Sequence, residues 1–350
     1  MPPTSKLTVP AILFAAALLA GCGSKGDVLT GAYEGRRVQD SDVEGQWLAY
    51  VWTPAQLVSV QGHVVLMNLA DGSETELDGD MSGPMALSGN YLVWCNTRRQ
   101  VSDLVSPITL YDLAAKSSRE IGKARVGGLD AAGDFVVWEN ILKTKSEVVL
   151  YDVKSGAAKT ISPPDVESVS CRGPKISDRA VVWETFVWKT RQSSVTVYDL
   201  ASGAFSSFDV PADTQISGIS GWQVLYVTRK DATAEIHLYD IAAKSDRVAV
   251  SPPRFAMAPA FDGSTIAWGQ YIEKKDFKPI PGQPLFNEKD FRDIFICDAA
   301  SGSPRQVASS LLTTGAHLAV KDGRVYCAVY RTLPPPGASN LTVPVDLRRF

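Results

Sequence analysis

The residues that most often carry catalysis are few in this chain and far apart. Its three histidines, His63, His237 and His317, lie in different parts of the sequence. No His-Glu-x-x-His pair, nucleophile elbow, phosphate loop or calcium loop occurs. We therefore assign no catalytic residue, no metal site and no cofactor from the sequence. If His317 faces a central channel, a hydrogen-bonded role is still favoured over metal ligation.

The five cysteines divide into one near the N-terminus, Cys22, and four in the body of the chain. The spacings of Cys95, Cys171, Cys297 and Cys327 are irregular and match no zinc-binding pattern. Two of them stand where other repeats carry Tyr or aliphatic residues, so we predict buried thiols that pack as small hydrophobic side chains. An oxidising compartment would permit disulfides, which leaves that alternative open.

The first 21 residues have the layout of a secretory signal. One cation, Lys6, precedes an uncharged run from Leu7 to Ala20. Its apolar block is shorter than the roughly 20 apolar residues that a permanent membrane helix needs. A charged start, a short apolar stretch and small residues at the end are typical of a segment removed after export.

The segment Leu19-Ala20-Gly21-Cys22 resembles the lipobox of bacterial lipoproteins. The resemblance implies cleavage before Cys22, acylation of this cysteine and attachment to a membrane through lipid. Acyl chains contribute about 0.8 kcal/mol per buried CH₂, so two or three hold a protein on a bilayer. Gly23 after the cysteine, rather than Asp, implies the outer membrane of the cell envelope. An ordinary signal peptide with a chance cysteine is the alternative.

A repeat of about 44 residues organises the rest of the chain. Its first element is a small turn followed by an apolar run that ends in Trp or Tyr, as in Gly89 to Trp94 and Gly133 to Trp138. The closing aromatic residues lie 42 to 45 positions apart: Tyr50, Trp94, Trp138, Trp183, Tyr226 and Trp268. We predict that these rings form the core between repeats and are not stacking platforms for a ligand.

A second apolar run in each repeat ends in a Tyr-Asp pair or its equivalent, before a tight turn. Leu110-Tyr111-Asp112 and Val197-Tyr198-Asp199 are clear copies, and Ile296-Cys297-Asp298 is a variant. An Asp carboxylate before a turn accepts backbone N–H groups, which predicts a structural role. Short runs of β-branched and aromatic residues between Gly, Asp and Ser turns indicate β-strands.

Four short strands in each repeat are typical of a propeller blade. One blade cannot bury both faces of its sheet, so blades stack around an axis. No convincing apolar period of 3.6 residues follows the leader. We therefore predict an all-β chain with a lipoprotein signal peptide at residues 1–21. A lipidated linker with a ring-closing strand follows at 22–35, and a β-propeller of four-stranded blades at 36–350.

The Tyr-Asp-Leu strand end, the Ser-Gly turn and the Gly-x-x-x-Val-Trp strand together resemble the repeat of TolB-type propellers. The resemblance covers roughly residues 36–350 and implies fold rather than function. TolB proteins carry a separate α/β domain before the propeller, and the segment between Cys22 and the first repeat is too short for it. We expect a TolB-like propeller without that domain and without the Tol-system role.

We predict seven blades. Six repeats are complete, and a seventh begins at Asp322-Gly323 and ends with a degenerate run from Leu341 to Leu347. Because this unit lacks a fourth strand, we expect Leu29 to Tyr33 to pair beside residues 341–347. Pro344 disfavours this pairing because proline removes a ladder hydrogen bond. Six blades with a C-terminal appendage is the alternative.

The formal net charge of −3 gives no indication of nucleic-acid binding. The connections between the aromatic strand and the Tyr-Asp strand read as long in each unit, and we expect all of them on one face of the ring. They carry more cations than anions: Arg98, Arg99, Lys143, Lys145, Lys189, Arg191, Arg229 and Lys230 against Asp103, Glu139, Glu184 and Asp231. This excess predicts a face that attracts an anionic partner. Ordinary solvated loops are the alternative.

The connection of the sixth repeat departs most from the pattern. It runs from Trp268 to Asp293, roughly twice the usual length, and mixes aromatic, proline and lysine residues. Long loops of this composition are typical of recognition surfaces. We predict binding residues here and on the fourth and seventh connections: Trp188, Lys189, Arg191, Tyr271, Lys274, Lys275, Phe277, Phe286 and Arg331. A lid that plugs the channel is the competing interpretation.

These observations favour a non-enzymatic envelope lipoprotein, held on the membrane by its lipid, that binds a protein or an anionic envelope polymer. The alternative is an envelope hydrolase or lyase with its active site in the propeller funnel. A cluster of carboxylates, histidines and arginines converging in the funnel would favour the enzyme.

Overall fold

The computed structural model describes residues 27–28, 36–54, 62–81, 83–95, 105–162, 169–230, 233–252, 255–272, 291–312, 318–330 and 345–350. The predicted signal peptide and Cys22 lie outside these residues. All regular secondary structure within the described ranges is β-strand. None of these ranges contains a helix long and apolar enough to cross a membrane.

Six sheets are each built from four consecutive antiparallel strands and are numbered here as blades one to six. The two-residue strand β1 (Asp27–Val28) precedes them. Blade one contains β2 (Arg36–Glu44), β3 (Trp47–Pro54), β4 (Gly62–Asn68) and β5 (Glu74–Met81). Blade two contains β6 (Met85–Ser88), β7 (Tyr91–Cys95), β8 (Ser106–Asp112) and β9 (Ser117–Ala124). Blade three contains β10 (Val126–Ala132), β11 (Phe135–Ile141), β12 (Ser146–Asp152) and β13 (Ala157–Thr160).

The next three blades continue in the same order. Blade four contains β14 (Val169–Ile176), β15 (Ala180–Val187), β16 (Gln192–Asp199) and β17 (Phe205–Val210). Blade five contains β18 (Gln215–Ser220), β19 (Gln223–Lys230), β20 (Thr233–Asp240) and β21 (Ser245–Val250). Blade six contains β22 (Phe255–Phe261), β23 (Thr265–Tyr271), β24 (Phe291–Asp298) and β25 (Pro304–Leu312).

A further four-stranded sheet combines strands from both ends of the chain. It contains β26 (Ala319–Lys321), β27 (Arg324–Tyr330) and β28 (Val345–Arg349), and β1 pairs with β28 at its outer edge. Asp27 is the partner of Arg349, and Val28 is the partner of Arg348. The sequence placed the N-terminal strand at residues 29–33, which lie outside the described residues, whereas the pairing found here is at 27–28.

This composite sheet lies between blade six and blade one. Ala319 and Tyr326 share a core cluster with Leu48 of blade one. On the other side, Val325 packs in a cluster with Ala267 of blade six. The predicted all-β propeller is confirmed. Each of the six numbered blades is formed by one continuous stretch of sequence. The six-blade alternative treated the C-terminal strands as an appendage, whereas these strands form a sheet inside the ring.

The recurring aromatic residues lie in the core between blades, as predicted. Trp94, Trp183 and Trp268 are among the largest side chains with less than 2% of their surface exposed. Successive side chains on a strand point to opposite faces of the sheet. Val137 therefore packs toward blade four, in one cluster with Trp183, while the adjacent Trp138 packs toward blade two. Each second strand thus supplies core residues on both of its sides.

The recurring Asp organises the turn after the third strand. Asp152 Oδ1 accepts hydrogen bonds from the backbone N–H groups of Lys154 at 2.9 Å and Ser155 at 3.3 Å. Asp199 Oδ1 accepts the equivalent bond from Ala201 at 2.8 Å. Hydrogen bonds from Ser155, through its side chain and then its backbone, lower the pKa of Asp152. The predicted structural role of this residue is confirmed.

Three cysteines of the propeller, Cys95, Cys171 and Cys297, are buried free thiols, and Cys327 is buried as well. Burial raises the pKa of Cys95, Cys171 and Cys297 to about 11. These three thiols are therefore protonated at neutral pH and poorly nucleophilic. The prediction that the cysteines pack as small hydrophobic side chains is confirmed.

Polar contacts join neighbouring blades at the turns between first and second strands. Gly133 N donates to Ser88 Oγ at 3.0 Å, linking blade three to blade two. Where the ring closes, Lys321 Nζ donates to Glu44 Oε2 at 2.8 Å. The composite sheet is thus held to blade one by an ion pair as well as by core packing.

Candidate functional site

The fully described connections between second and third strands, those of blades three and four, lie at one end of the ring, because the strands of each blade alternate in direction. We call this end the upper face and the end with the turns after the third strands the lower face. The sequence predicted long connections in every unit. In blades three, four and five they are only residues 142–145, 188–191 and 231–232. Strand pairing continues to the turn, as between Val187 and Gln192, so the prediction is wrong for these blades.

Most residues predicted on the sixth and seventh connections lie outside the described residues: Lys274, Lys275, Phe277, Phe286 and Arg331. Tyr271 is described at the end of β23, where its strand partner is Arg292. The Arg292 guanidinium lies 5.1 Å from the centroid of the Tyr271 ring. The recognition patch centred on the sixth connection therefore stays a prediction.

Trp188 begins the upper-face turn of blade four, and it is 55% exposed. Its Nε1 nevertheless donates a hydrogen bond to Ser170 Oγ at 2.9 Å. The Phe186 ring meets it edge-on, with 4.9 Å between the ring centroids. The Arg172 guanidinium lies 5.1 Å from the Trp188 centroid and 4.9 Å from the Phe186 centroid. Blade four thus presents a large apolar surface to solvent in one defined orientation.

The register of β14 and β15 produces this cluster. Ser170 is the strand partner of Phe186, and Arg172 is the partner of Glu184. Because side chains two positions apart share a face, Glu184, Phe186 and Trp188 lie beside Ser170 and Arg172. The sequence pattern indicates Trp188 as a site residue but gives no indication of Ser170 or Arg172. A β-bulge just after Arg172 shifts the register; Gly173, with a φ of 54°, and Pro174 mark it in the sequence, because Gly or Pro inside a strand is typical of a bulge.

Lys189 and Arg191 follow Trp188 on the same turn, and both are exposed. The backbone N–H of Arg191 donates to Val187 O at 2.8 Å and closes the turn. Arg191 adopts a left-handed conformation with a φ of 55°, which is uncommon for a residue with a side chain. The structure therefore brings together three of the predicted site residues, an exposed indole and two cations.

Two carboxylates that the sequence analysis assigned to loops lie inside strands instead. Glu139 on β11 is 7% exposed, and Glu184 on β15 is 8% exposed. Glu184 Oε1 accepts a bond from Ser193 Oγ at 2.9 Å, and Glu139 Oε2 accepts one from Gly173 N at 3.3 Å. Burial raises the pKa of both carboxyls, while the nearby Arg172 acts in the opposite direction. Because these two carboxylates are buried, they contribute less negative charge to the upper face than the count of loop charges in the sequence assumed.

Gly127 on β10 makes room for one of these carboxylates. A Cβ atom at this position would lie 2.6 Å from Glu139 Oε2 and 2.9 Å from Ile141 Cδ1. Both distances are well below van der Waals contact, so any side chain at position 127 would displace Glu139. The carboxylate thus lies against the inner strand of its own blade.

The described histidines are hydrogen-bonded to carboxylates and stacked on aromatic rings. His63 Nδ1 lies 2.7 Å from Glu76 Oε1, and its ring stacks on Trp52 at a centroid distance of 3.9 Å. His237 Nδ1 lies 2.9 Å from Asp246 Oδ2. His317 lies outside the described residues. Within the part of the chain that is described, no group of three or more His, Cys, Asp or Glu is arranged to hold a metal ion.

Comparison with known proteins identifies a fold and not a family. No protein-family model matches the chain, and no curated protein matches its sequence. Solved structures do match. The β-propeller domain of the Trilobed protease from Pyrococcus furiosus has a TM-score of 0.61 and 13% identity, over 92% of this chain and 96% of that one.

Two further structures share the fold over part of their length. TolB from Acinetobacter baumannii has a TM-score of 0.51 and 11% identity, over 76% of this chain and 65% of that one. The acylaminoacyl peptidase of Pyrococcus horikoshii has a TM-score of 0.60 and 13% identity, over 90% of this chain and 52% of that one. This chain thus spans about half the length of the peptidase. At these identities the similarity shows the fold alone, and the expected TolB-like propeller fold is confirmed.

Proposed function

We propose that this protein is a lipid-anchored envelope protein that binds a macromolecular partner, a protein or an anionic envelope polymer, on the upper face of its propeller. The observation that carries the proposal is that Trp188 is exposed and yet held in one orientation. This side chain is 55% exposed, yet Ser170, Phe186 and Arg172 hold it in place. A folding role alone does not require so much indole surface to face solvent.

The energetics of this arrangement suit binding. Burial of apolar surface contributes roughly 25 cal/mol per Å², and Trp and Arg are the residues most often found at binding hot spots. Since Trp188 is already held by its neighbours, a partner would lose little free energy in ordering it. Lys189 and Arg191 beside it would attract an anionic partner and speed the encounter.

The anchor in this proposal is lipid on Cys22. The segment Leu19-Ala20-Gly21-Cys22 supports acylation, and Gly23 supports delivery to the outer membrane. Only residues 23–26 separate Cys22 from β1 at Asp27–Val28. An extended chain of this length spans less than about 20 Å. The propeller would therefore be held close to the membrane surface by the edge of its composite sheet.

The test compares Trp188→Ala with Phe205→Ala in the full-length lipidated protein. Phe205 is also 55% exposed, but it lies on β17, the outer strand of blade four. Both variants remove one large exposed ring from the same blade. After crosslinking in cells, the tagged protein is purified from solubilised membranes, and bound protein and polysaccharide are quantified.

We expect Trp188→Ala to lose most of the crosslinked partner and Phe205→Ala to retain it at the wild-type level. Circular dichroism melts of both purified variants control for folding. Retention of the partner by Trp188→Ala at the wild-type level contradicts the proposal.

An envelope hydrolase is the second candidate, and one observation favours it. Burial raises the pKa of both Glu139 and Glu184, and a raised carboxyl pKa is a property of general acids in hydrolases. The binding function is favoured over it because both carboxylates are more than nine-tenths buried and occupied by hydrogen bonds from Gly173 and Ser193. Loss of a hydrolytic activity on envelope polysaccharide or peptide in Glu139→Gln, with binding unchanged, would favour the enzyme.

A further inference from the structure

Two neighbouring upper-face turns share one residue pattern, and this pattern deepens the proposed function, on which the inference rests. Each turn carries a large apolar residue, then Lys, Thr and a second cation. The two turns are Leu142-Lys143-Thr144-Lys145 in blade three and Trp188-Lys189-Thr190-Arg191 in blade four. The repetition places the same residue types one blade apart on the upper face.

The apolar residues of these turns belong to a longer row. Among the described residues, five large apolar side chains are exposed: Val105, Leu142, Trp188, Phe205 and Val248. The first three lie on the upper face, directly before β8, on the blade-three turn and on the blade-four turn. They are 44%, 37% and 55% exposed, respectively. Three consecutive blades therefore each offer one apolar contact along the ring.

The two turns are fixed relative to each other. Ser146, the residue directly after the blade-three turn, donates through Oγ to Cys171 O at 2.8 Å and accepts from Cys171 N at 2.7 Å. Ser146 is 7% exposed and Cys171 2% exposed. These buried bonds join β12 of blade three to β14 of blade four just below the turns. A ligand that spans both blades thus meets a preorganised surface.

The charge of this row is positive. In the described part of the chain, no carboxylate forms an ion pair with Lys143, Lys189 or Arg191. Lys145 is paired with Glu147 at 2.9 Å. The segments 142–145 and 188–191 contain no acidic residue. Apart from Glu147, the acidic residues closest to them in sequence are Glu139 and Glu184, and both are buried. Apolar contacts and uncompensated cations therefore alternate along blades three and four.

We infer that the row formed by Val105, the turn 142–145 and the turn 188–191 binds an acidic segment of a partner protein that carries several large apolar side chains. Carboxylates of that segment pair with Lys143, Lys189 and Arg191 in charge-assisted hydrogen bonds. Its apolar side chains pack on Val105, Leu142 and Trp188. A polysaccharide would use the indole as a stacking surface but has little apolar surface to match an exposed Leu or Val. The two aliphatic contacts therefore favour a protein segment over a polymer.

The test places a photo-crosslinking amino acid at Thr144 or Thr190, which are exposed positions inside the two turns. Matched controls carry it at Ser155 or Ser202, exposed positions on the lower-face turns of the same two blades. The full lipidated chain is irradiated in cells, and each adduct is treated separately with protease and with glycosidases. The crosslinked peptide is then sequenced by mass spectrometry.

We expect adducts from positions 144 and 190 only, digested by protease and mapping to one segment rich in Asp, Glu and large apolar residues. Leu142→Ser should reduce the adduct from position 190 severalfold. A synthetic peptide of the mapped segment should bind the double variant Lys189→Glu and Arg191→Glu at least tenfold more weakly than the wild type.

Three outcomes overturn the inference while leaving the proposed function intact. They are an adduct that only glycosidases remove, a crosslinked segment that is neutral or basic, and an adduct unaffected by Leu142→Ser. Adducts that form equally at Ser155 and Ser202, or no adduct at any position, overturn the proposed function as well.

Discussion

The indole of Trp188 and the hydroxyl of Ser170 are joined by a 2.9 Å hydrogen bond across the first two strands of blade four. The bond orients an indole that remains 55% exposed. Exposure and fixed orientation together distinguish Trp188 from the recurring Trp residues of the core, such as Trp183, whose rings are buried between blades.

Ser170→Ala should weaken partner binding while leaving the fold intact. Without this bond the partner must order the indole on binding, which costs about 1 kcal/mol, so the dissociation constant should rise about fivefold. The unfolding free energy should change by less than about 0.5 kcal/mol, since the bond lies at the surface. Ser206→Ala, on the exposed outer strand of the same blade, is the control and should bind normally. Equal affinities for both variants would show that the orientation of the indole does not matter.

Removal of residues 345–350 should destabilise the whole ring. β28 pairs with both β27 and β1, and Phe350 exchanges backbone hydrogen bonds with Val325 at 2.8 and 3.0 Å. Deletion leaves two unpaired edges at the closure and should lower the unfolding free energy by several kcal/mol. Lys321→Ala, which removes only the ion pair to Glu44, should cost about 0.5–1 kcal/mol. Denaturant unfolding measures both, and a deletion variant as stable as Lys321→Ala would contradict the closure described here.

The buried carboxyls Glu139 and Glu184 should make stability fall as pH rises. Burial raises the pKa of each in the folded state above its ordinary value of 4.5. The native state therefore binds these protons more tightly than the unfolded state, and stability is lost as pH rises from 4.5 through the folded values. Relative to the wild type, the double variant Glu139→Gln and Glu184→Gln should gain stability as pH rises above 4.5.

Chemical unfolding at several pH values measures this difference. Glu120→Gln, which changes an exposed glutamate on β9, is the control and should show no such trend. A stability difference that is flat across these pH values would mean that the two carboxyls are not perturbed by burial.

Cys22→Ser should release the protein from the membrane or leave its leader uncleaved, because acyl chains are the only attachment proposed. Membrane fractionation, combined with the mass of the mature N-terminus, measures the outcome. Unchanged partition into membranes, with no lipid mass on the wild-type N-terminus, would show that lipid on Cys22 does not anchor the protein.

The fold was predictable from the sequence because its signals repeat. The Trp positions recur once per blade, and the same positions are buried in the structure. The Asp before each tight turn accepts hydrogen bonds from backbone N–H groups a few residues later, as Asp152 does from Lys154 and Ser155. Signals that act within a few residues and recur in every repeat are read reliably from one sequence.

The site was less predictable because it depends on register and on where strands end. Glu139 and Glu184 read as loop residues, yet strand pairing continues beyond both, to Ile141 and Val187. Polar residues at the end of a strand look the same in sequence as loop residues. Arg172 approaches Trp188 only because of the register set by the bulge in β14.

Hydrogen–deuterium exchange on the propeller, with and without its crosslink-identified partner, shows which face the partner covers. We expect bound partner to slow exchange in residues 187–192 and 141–146 of the upper face. Residues 200–204 and 153–157, on the lower-face turns of the same blades, should exchange at unchanged rates. Protection of the lower-face turns, with the upper-face turns unaffected, would contradict partner binding on the upper face.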